Sequence, residues 1–546
     1  MALWYNNTMK KLILSFLVGL SVGCLAGALD QVKARWGLPC GNVAAAQKFA
    51  AQLTAEGSWP DIDYKARQRS GWTLPAHLGR VRELAAAARI NRDPALLAAA
   101  HRSLGFWIQN NFKNSNWWWN DIGVPSMMGP IGLLLDKDLT EAERTYIRKV
   151  LSRRSLGCMT GQNRAWVARN YLMRALLDDS DADFRTALDV VLSEVRLAPG
   201  EGIQRDGNFH QHGHQPQLGN YGLSFLAEQT AYAHLLQGTP YAYPPEKREL
   251  IHFLAEGYQW TLWNGRLDVA ALGRQLFPNV AREKGRTILN ALRTLEKDGW
   301  KRPSSPLGFK HFDCSAYAVY RTKSWMASVR ASTAKIIGVE TVVNEDNAKG
   351  QCMADGALCV YVTGGEYDDV FPLWADWRMI PGVTGYLGKP VVRNDARNQA
   401  DDIVSHTTPN GGAFEFTFCR EGLTAHKKWT FSPTEILCEG SGITAEDKSY
   451  DVATCVEESL AAPNARIVYQ KPNESCFENG TIRYIVEAPP EQIRFAVEER
   501  HGDFSAFMQS MASTPRSGKV FSLRILHGRT PKSARYRYRI QPLGNP

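Results

Sequence analysis

Pro303-Ser304-Ser305-Pro306 is the short stretch at which the chain changes texture. Two prolines around two serines cannot continue a helix or a central strand, so they mark a linker. Upstream, from about Asn42 to Glu296, alanine and leucine recur at helical spacing, from VRELAAAARI at Val81 to REKGRTILNALRTLEK at Arg282. Helix-start signals precede several of these runs: Asp93-Pro94, Thr140 with Glu143 behind it, and Thr160. The connections are short, so neighbouring helices should run antiparallel. Downstream, alternating or β-branched runs such as AYAVYRT at Ala316, AFEFTFCR at Ala413 and ARYRYRIQ at Ala534 are parted by Gly and Asn/Asp turns. The expected fold class is α+β multidomain. An N-terminal α/α toroid (an incomplete helical barrel) should cover residues 29–305, and an antiparallel β-sandwich residues 306–546. No strict repeat is visible, which counts against a regular solenoid. An irregular bundle is the alternative for the helical half.

The 546 residues are too many for one core, and 44% hydrophobic with 22% charged content describes an ordinary globular protein. The net charge of +9 is scattered rather than blocked. It hints at a polyanionic partner but supplies no nucleic-acid motif. Lys10 and Lys11 precede an apolar run from Leu12 to Leu29 with small residues at Ala26 to Ala28, the pattern of a secretory signal over residues 1–28. Met9 is the tidier start, and Cys24 is an alternative lipoprotein attachment site. Export to the periplasm or medium is expected, with no stable membrane span after processing, and the chain is expected to be a monomer. None of the ten cysteines shows CxxC or CxxH spacing, so there is no zinc signature. Export permits disulfides, and six cysteines between Cys352 and Cys476 suggest one or two bridges there.

Four stretches can carry chemistry. In Asn116-Trp117-Trp118-Trp119-Asn120-Asp121-Ile122-Gly123-Val124-Pro125, three consecutive indoles on a helix fan out by about 100° each, so at least one should be exposed. Gly123 and Pro125 imply a loop to hold it. Exposed indoles flanked by amides such as Asn116 suit sugar rings; the alternative is core packing. In Thr160-Gly161-Gln162-Asn163-Arg164, an N-cap at Thr160 puts Asn163 in a first helical turn, where backbone N–H groups favour an anion. A capping amide is the other reading. Trp263-Asn264-Gly265-Arg266 through Gly273-Arg274 sets two guanidiniums beside glycines, suited to a carboxylate or simply solvated.

The fourth stretch, Asp206 to Tyr221 (DGNFHQHGHQPQLGNY), concentrates groups that move protons near neutral pH. Pro216 and Gly219 preclude one continuous helix, so His212 belongs to a loop and Tyr221 to the start of the next helix, capped by Asn220. A folded-back loop could bring imidazole and phenol together. His210, His212 and His214 at alternate positions raise metal binding, but no carboxylate pattern completes such a site. Neither a metal nor a cofactor is expected.

In this order, the four stretches together with Asn344-Glu345-Asp346-Asn347-Ala348-Lys349-Gly350 and Asp355-Gly356 resemble polysaccharide lyase family eight, the hyaluronate, chondroitin AC and xanthan lyases. The resemblance spans about Asn116 to Gly356 and agrees with a toroid followed by a sandwich. It implies β-elimination on a uronic-acid-containing polysaccharide. Asn163 and His212 match the pair that neutralises the uronate carboxylate, and Tyr221 the base that also protonates the leaving oxygen. Arg274 matches an arginine able to lower the tyrosine's pKa, and Trp117 and Trp118 match a sugar-stacking platform. Arg266, Asn116 and Asn344 are further candidate substrate contacts. Glu340 corresponds to a glutamate that supports the arginine, one residue out of register with the family spacing from Asn344. Asp121, Trp119 and Pro278 depart from residues common in the family. Two other functions compete: a non-catalytic glycan-binding surface protein, and an α/α-toroid glycoside hydrolase, which would need two carboxylates across a cleft.

Overall fold

The computed structural model describes residues 27–36, 41–341, 343–391 and 397–543. The proposed signal up to Ala26, including Met9 and Cys24, lies outside them. Among the described residues there are eleven α-helices, all before Pro303, and the longer strands all follow Pro306. The helical domain followed by an antiparallel-sheet domain is as the periodicities predict. No helix among the described residues is long and apolar enough to cross a membrane.

By internal contacts the chain forms two compact units. One contains the described residues up to Arg196 together with Glu228–Ile251, and the other Leu197–Ala227 together with His252 onward. The second unit therefore combines two pieces of the helical half with the whole sheet half.

Within the first unit, helix starts follow local chemistry. Thr140 and Glu143 close a reciprocal capping box at the helix Glu141–Leu151. The Asp93 carboxylate accepts the N–H groups of Ala95 and Leu96, with Pro94 in the first turn of Pro94–Asn110. Thr160 occupies the N-cap position of Gly161–Leu177, but its hydroxyl does not cap. The Gly161 N–H instead donates to the buried carboxylate of Glu194 at 2.7 Å.

The loop expected around Gly123 and Pro125 is absent. Trp119–Gly123 forms a single π-helical turn that runs into the helix Val124–Leu135. Proline in a first helical turn has no N–H to leave unpaired, so Pro125 opens this helix rather than stopping it. A side chain at Gly123 would meet Trp119 at 2.6 Å, so the indoles require glycine there. The helix is buried on nearly all sides, which erases the amphipathic period.

The second unit contains three larger sheets, all antiparallel. Gly308–Phe312, Tyr317–Arg321, Met326–Arg330 and Ala357–Tyr361 form a four-stranded meander. An eight-stranded sheet runs in the order Ile403–Thr408, Gly411–Arg420, Leu423–Phe431, Ile436–Ala445, Lys532–Pro542, Ile482–Val486, Glu474–Asn479 and Arg466–Lys471. The third orders Ile493–Asp503, Pro515–Arg529, Asp451–Leu460 and Thr384–Tyr386. A shared core of Phe414, Phe416, Trp429, Tyr484, Phe521 and Tyr538 lies between them. The strand Asp451–Leu460 escapes a period-two reading because both of its faces are buried, Glu457 and Glu458 included. Tyr367 and Tyr484 donate to Glu457 at 3.1 and 2.8 Å.

The eight described cysteines are free thiols, five of them buried. The bridges suggested between Cys352 and Cys476 are therefore not formed. Burial raises the thiols of Cys359 and Cys455 well above their ordinary value.

Trp429 is fully buried and stacks on Phe416 at 6.0 Å. Trp429→Ala should lower the unfolding free energy by about 3–5 kcal/mol, read from urea titration followed by circular dichroism.

Candidate functional site

The site in the second unit is assembled from three segments. The first, Gly202 to Gly222, folds back on itself. Gly202–Ile203 pairs with Phe209–His210, and the Gln217 N–H donates to Phe209 O at 2.8 Å. His212 lies at the tip with φ of 62°, a left-handed conformation that the fold imposes on a non-glycine residue. The chain then returns to Tyr221, the first residue of the helix Tyr221–Leu236. The imidazole and phenol rings meet with centroids 4.8 Å apart, inclined by 65°. His212 is thus in a loop and Tyr221 opens a helix, as the spacing predicts. The Asn220 side chain contacts Gln217 and Lys284, at 3.2 and 3.0 Å.

The second segment carries Arg274. It is anchored by Asp268, whose carboxylate accepts Tyr317 OH at 2.5 Å and Tyr361 OH at 2.7 Å. Both phenols are buried and held protonated, because desolvation and the Asp268 charge raise their pKa well above the ordinary value. Arg274 places its guanidinium carbon 5.7 Å from the centre of the Tyr221 ring.

The third segment joins Met326–Arg330 to Ala357–Tyr361 and supplies Glu340. One Glu340 oxygen engages His212 Nδ1 and the other engages Arg274 Nη1. The Ile337 N–H donates to His214 O at 3.0 Å, and Asn347 Nδ2 donates to Glu340 O at 2.9 Å. These bonds fix the loop that holds the carboxylate. With Nδ1 occupied, Nε2 is the ring atom that His212 can offer a ligand, and its side chain keeps 34% of its surface exposed.

The electrostatics follow from this pairing. Burial alone would raise the Glu340 pKa, but Arg274 and His212 outweigh it and hold the carboxyl at about 2. Burial likewise opposes charge on Arg274, while Glu340, Tyr221 and Asp346 keep it firmly protonated. For Tyr221, burial dominates and raises the phenol above its ordinary value, with Arg274 pulling the other way. Before substrate enters, the arginine tempers the phenol's pKa without lowering it below that of a free tyrosine.

In the first unit, Asn163 is buried in the first turn of Gly161–Leu177, and its Oδ1 has no hydrogen-bond partner among the described residues. Nearby, Glu228 accepts Gln162 Nε2 at 2.8 Å and Trp166 Nε1 at 3.0 Å. Of the indoles, Trp117 is 43% exposed, with the Arg154 guanidinium 6.0 Å from its ring. Trp118 is buried, edge-on to Trp119 and Trp166. Asn116 is buried too: its Oδ1 accepts the Trp118 N–H at 3.1 Å and its Nδ2 donates to Arg69 O at 2.9 Å.

The second unit therefore brings His212, Tyr221, Arg274 and Glu340 into one cluster. It does not bring in Arg266, whose guanidinium is held by Asp368 at 3.0 Å. Asn344 turns the chain at φ of 56° two residues before the buried Asp346. Asp346 lies 3.7 Å from Arg274 Nε and was not singled out by sequence, nor was the buried Lys284. The signal for Lys284 was present: a lysine on the apolar stripe of Val280, Ala281, Ile288 and Leu292.

This geometry stands beside clear family matches. The profile of the polysaccharide lyase family 8 N-terminal alpha-helical domain matches residues 32–302, and that of the family 8 super-sandwich domain residues 307–545. The chain belongs to polysaccharide lyase family 8 and is a carbon–oxygen lyase acting on polysaccharides. It is 25% identical to chondroitinase-AC of Pedobacter heparinus over 540 residues, covering 91% of this chain and 76% of that one. It is 24% identical to xanthan lyase of Bacillus sp. over 401 residues, 62% of this chain and 43% of that one. A solved chondroitinase AC lyase superposes with a TM-score of 0.85 at 22% identity, over 95% of this chain and 83% of that one. The Streptomyces coelicolor A3 chondroitin AC lyase in complex with chondroitin sulphate gives 0.81 at 20%, over 99% and 83%.

Glu340 ionises in the folded state near pH 2, below its ordinary 4.5. Its contribution to stability is therefore complete above about pH 4.5 and lost as pH falls toward about 2. Glu340→Gln should flatten the urea midpoint against pH across that window. It should also cost about 3–5 kcal/mol at neutral pH, because the buried Arg274 loses its nearer carboxylate and keeps the more distant Asp346.

Proposed function

We propose that this lyase cleaves a uronic-acid-containing polysaccharide by β-elimination, with Tyr221 as both base and acid. The observation that carries the reading is the cluster in which one largely enclosed carboxylate, Glu340, engages both His212 and Arg274 around the Tyr221 ring.

The C5 proton of a uronate is a poor acid until its carboxylate is neutralised, because the carbanion must delocalise into that group as an enediolate. Asn163, from the first turn of its helix, and His212, as an imidazolium with Nδ1–H on Glu340 and Nε2–H toward the ligand, are suited to donate to the carboxylate. The Tyr221 phenolate takes the C5 proton, the electron pair forms the C4–C5 double bond, and the C4–O bond breaks. The leaving oxygen then recovers a proton from the same phenol, so the enzyme ends in its starting state. Arg274 stabilises the phenolate, and Glu340 holds both Arg274 and the His212 ring in place. Trp117, backed by Trp118 and Asn116, is proposed as a stacking surface for a sugar ring. Asn344 and Arg266 are further proposed substrate contacts, Arg266 only if it leaves Asp368.

Residues 29–305 are proposed as the catalytic domain and 306–546 as the sandwich, on a monomer exported by a signal over residues 1–28 or anchored by lipid at Cys24. The substrate is an acidic polymer; hyaluronan, chondroitin, xanthan and alginate are the candidates.

Incubation with each polymer should produce the ultraviolet absorbance of an unsaturated uronate. Tyr221→Phe should reduce that rate by about 10²–10⁴-fold. Because Tyr221 must lose a proton held above the ordinary phenol value, kcat/KM should climb with pH through neutrality. Reducing ends released without new absorbance would point to hydrolysis, and a Tyr221→Phe enzyme as active as wild type would sink the assignment of the base.

A further inference from the structure

The segments bearing Tyr221 and Arg274 meet backbone against backbone. A Cβ on Gly219 would lie 2.2 Å from Leu272 O, and one on Gly273, at φ of 72°, would lie 2.5 Å from Asn220 Nδ2. At Gly219 the neighbour is backbone, which leaves no room for a side chain, and at Gly273 the positive φ favours glycine. Into this junction the helix Val280–Lys297 inserts Lys284, which is almost fully buried. Its Nζ lies 3.0 Å from Asn220 Oδ1, 2.8 Å from Leu272 O and 3.3 Å from Gln275 O.

The origin of those acceptors is informative. Asn220 is the residue before Tyr221, and Leu272 and Gln275 lie on either side of Arg274. Three acceptors saturate the three N–H bonds of an ammonium, whereas a neutral amine would turn a lone pair toward one of them. Burial, and next the charge of Arg274, lower the lysine's pKa well below its ordinary value, while the three acceptors favour the ammonium form. The helix itself is seated closely: a Cβ on the neighbouring Gly285 would lie 2.2 Å from Gly265 O.

We infer that Lys284 is a positioning residue of the lyase reaction, a buried clamp that sets the spacing between the Tyr221 phenol and the Arg274 guanidinium. The inference rests on the reading of Tyr221 as the base. The clamp touches neither sugar nor reacting atoms and acts through the two residues it registers. The charged or titratable groups facing Tyr221 are His212, Arg274, Glu340 and Glu201. Those facing Lys284 are Arg274 and Asp346. If the clamp is released, Arg274 opposes the Glu340 and Glu201 carboxylates less effectively, and the phenol becomes harder to ionise.

Lys284→Met keeps an unbranched side chain one atom shorter and removes its donors. On whichever polymer wild type turns over, kcat should fall about 10²-fold with KM within about threefold, since displacement of a catalytic group by about 1 Å suffices for such a loss. The rise of kcat/KM should move to higher pH by about one unit. Asn220→Ala, which removes one acceptor and keeps the lysine, should cost about tenfold in kcat in the same direction and serves if Lys284→Met does not fold. Hydrogen exchange by mass spectrometry gives a readout without turnover. Peptides covering 217–222 and 271–276 should exchange at least about tenfold faster in the variants, with the Gly308–Phe312 meander unchanged. Unchanged exchange in both segments, kcat within twofold of wild type at every pH, or a change in KM alone would overturn the inference. A wild-type enzyme that forms unsaturated product on no polymer would instead refute the reading of Tyr221, and exchange would then judge the clamp by itself.

Discussion

A single largely enclosed carboxylate, Glu340, sets the geometry of the second unit's cluster. It faces His212 with one oxygen and Arg274 with the other, so a shift in its position moves both. Removing an ion pair from water is costly, and such a pair endures only where geometry and further hydrogen bonds compensate. Here the compensation is local. Asn347 fixes the Glu340 backbone, Ile337 ties the loop to His214, and Asp346 offers Arg274 a second carboxylate. The result is a preorganised set of charges, which suits the proposed role of Tyr221 because little would remain to be reoriented as charge develops.

The sheet half supplies this rigidity. Its loop between Met326–Arg330 and Ala357–Tyr361 carries Glu340, and those strands neighbour Tyr317, which together with Tyr361 anchors Asp268 below the Arg274 segment. The aromatic core around Trp429 and Phe416 gives the loop a base of side chains with few alternative packings. The second unit accordingly unites residues 197–227 and 252–302 of the helical half with the strands. The linker at Pro303 divides secondary-structure types, whereas contacts divide the chain elsewhere.

The residues easiest to read were those whose signal is local. Thr140 with Glu143 and Asp93 with Pro94 cap helices as their spacing predicts, since a cap spans only a few positions. Thr160 stands at the N-cap without a side-chain capping bond, and the neighbouring Gly161 N–H is met from over thirty residues away by Glu194. The Trp119–Gly123 turn was read as a loop because glycine and proline usually end helices, yet here both serve close indole packing and a new helix start. Asp451–Leu460 carried no alternation because both of its faces are buried. The clustering of six cysteines in an exported chain suggests bridges, and nearness in sequence says nothing of separation across a sheet.

By itself, the sequence determined the order of a helical and a sheet domain, the placement of His212 in a loop and Tyr221 at a helix start, and the family. Periodicity, capping and ordered motifs are written along the chain. Tertiary structure alone decided that Glu340 engages both His212 and Arg274, that Asp368 holds Arg266, that Trp117 is the exposed indole, and that Lys284 joins the segments of Tyr221 and Arg274. Each of these depends on residues tens to more than a hundred positions apart coming within hydrogen-bonding or packing distance. Long-range approach of that kind is set by how side chains fill a core, and no local pattern records it.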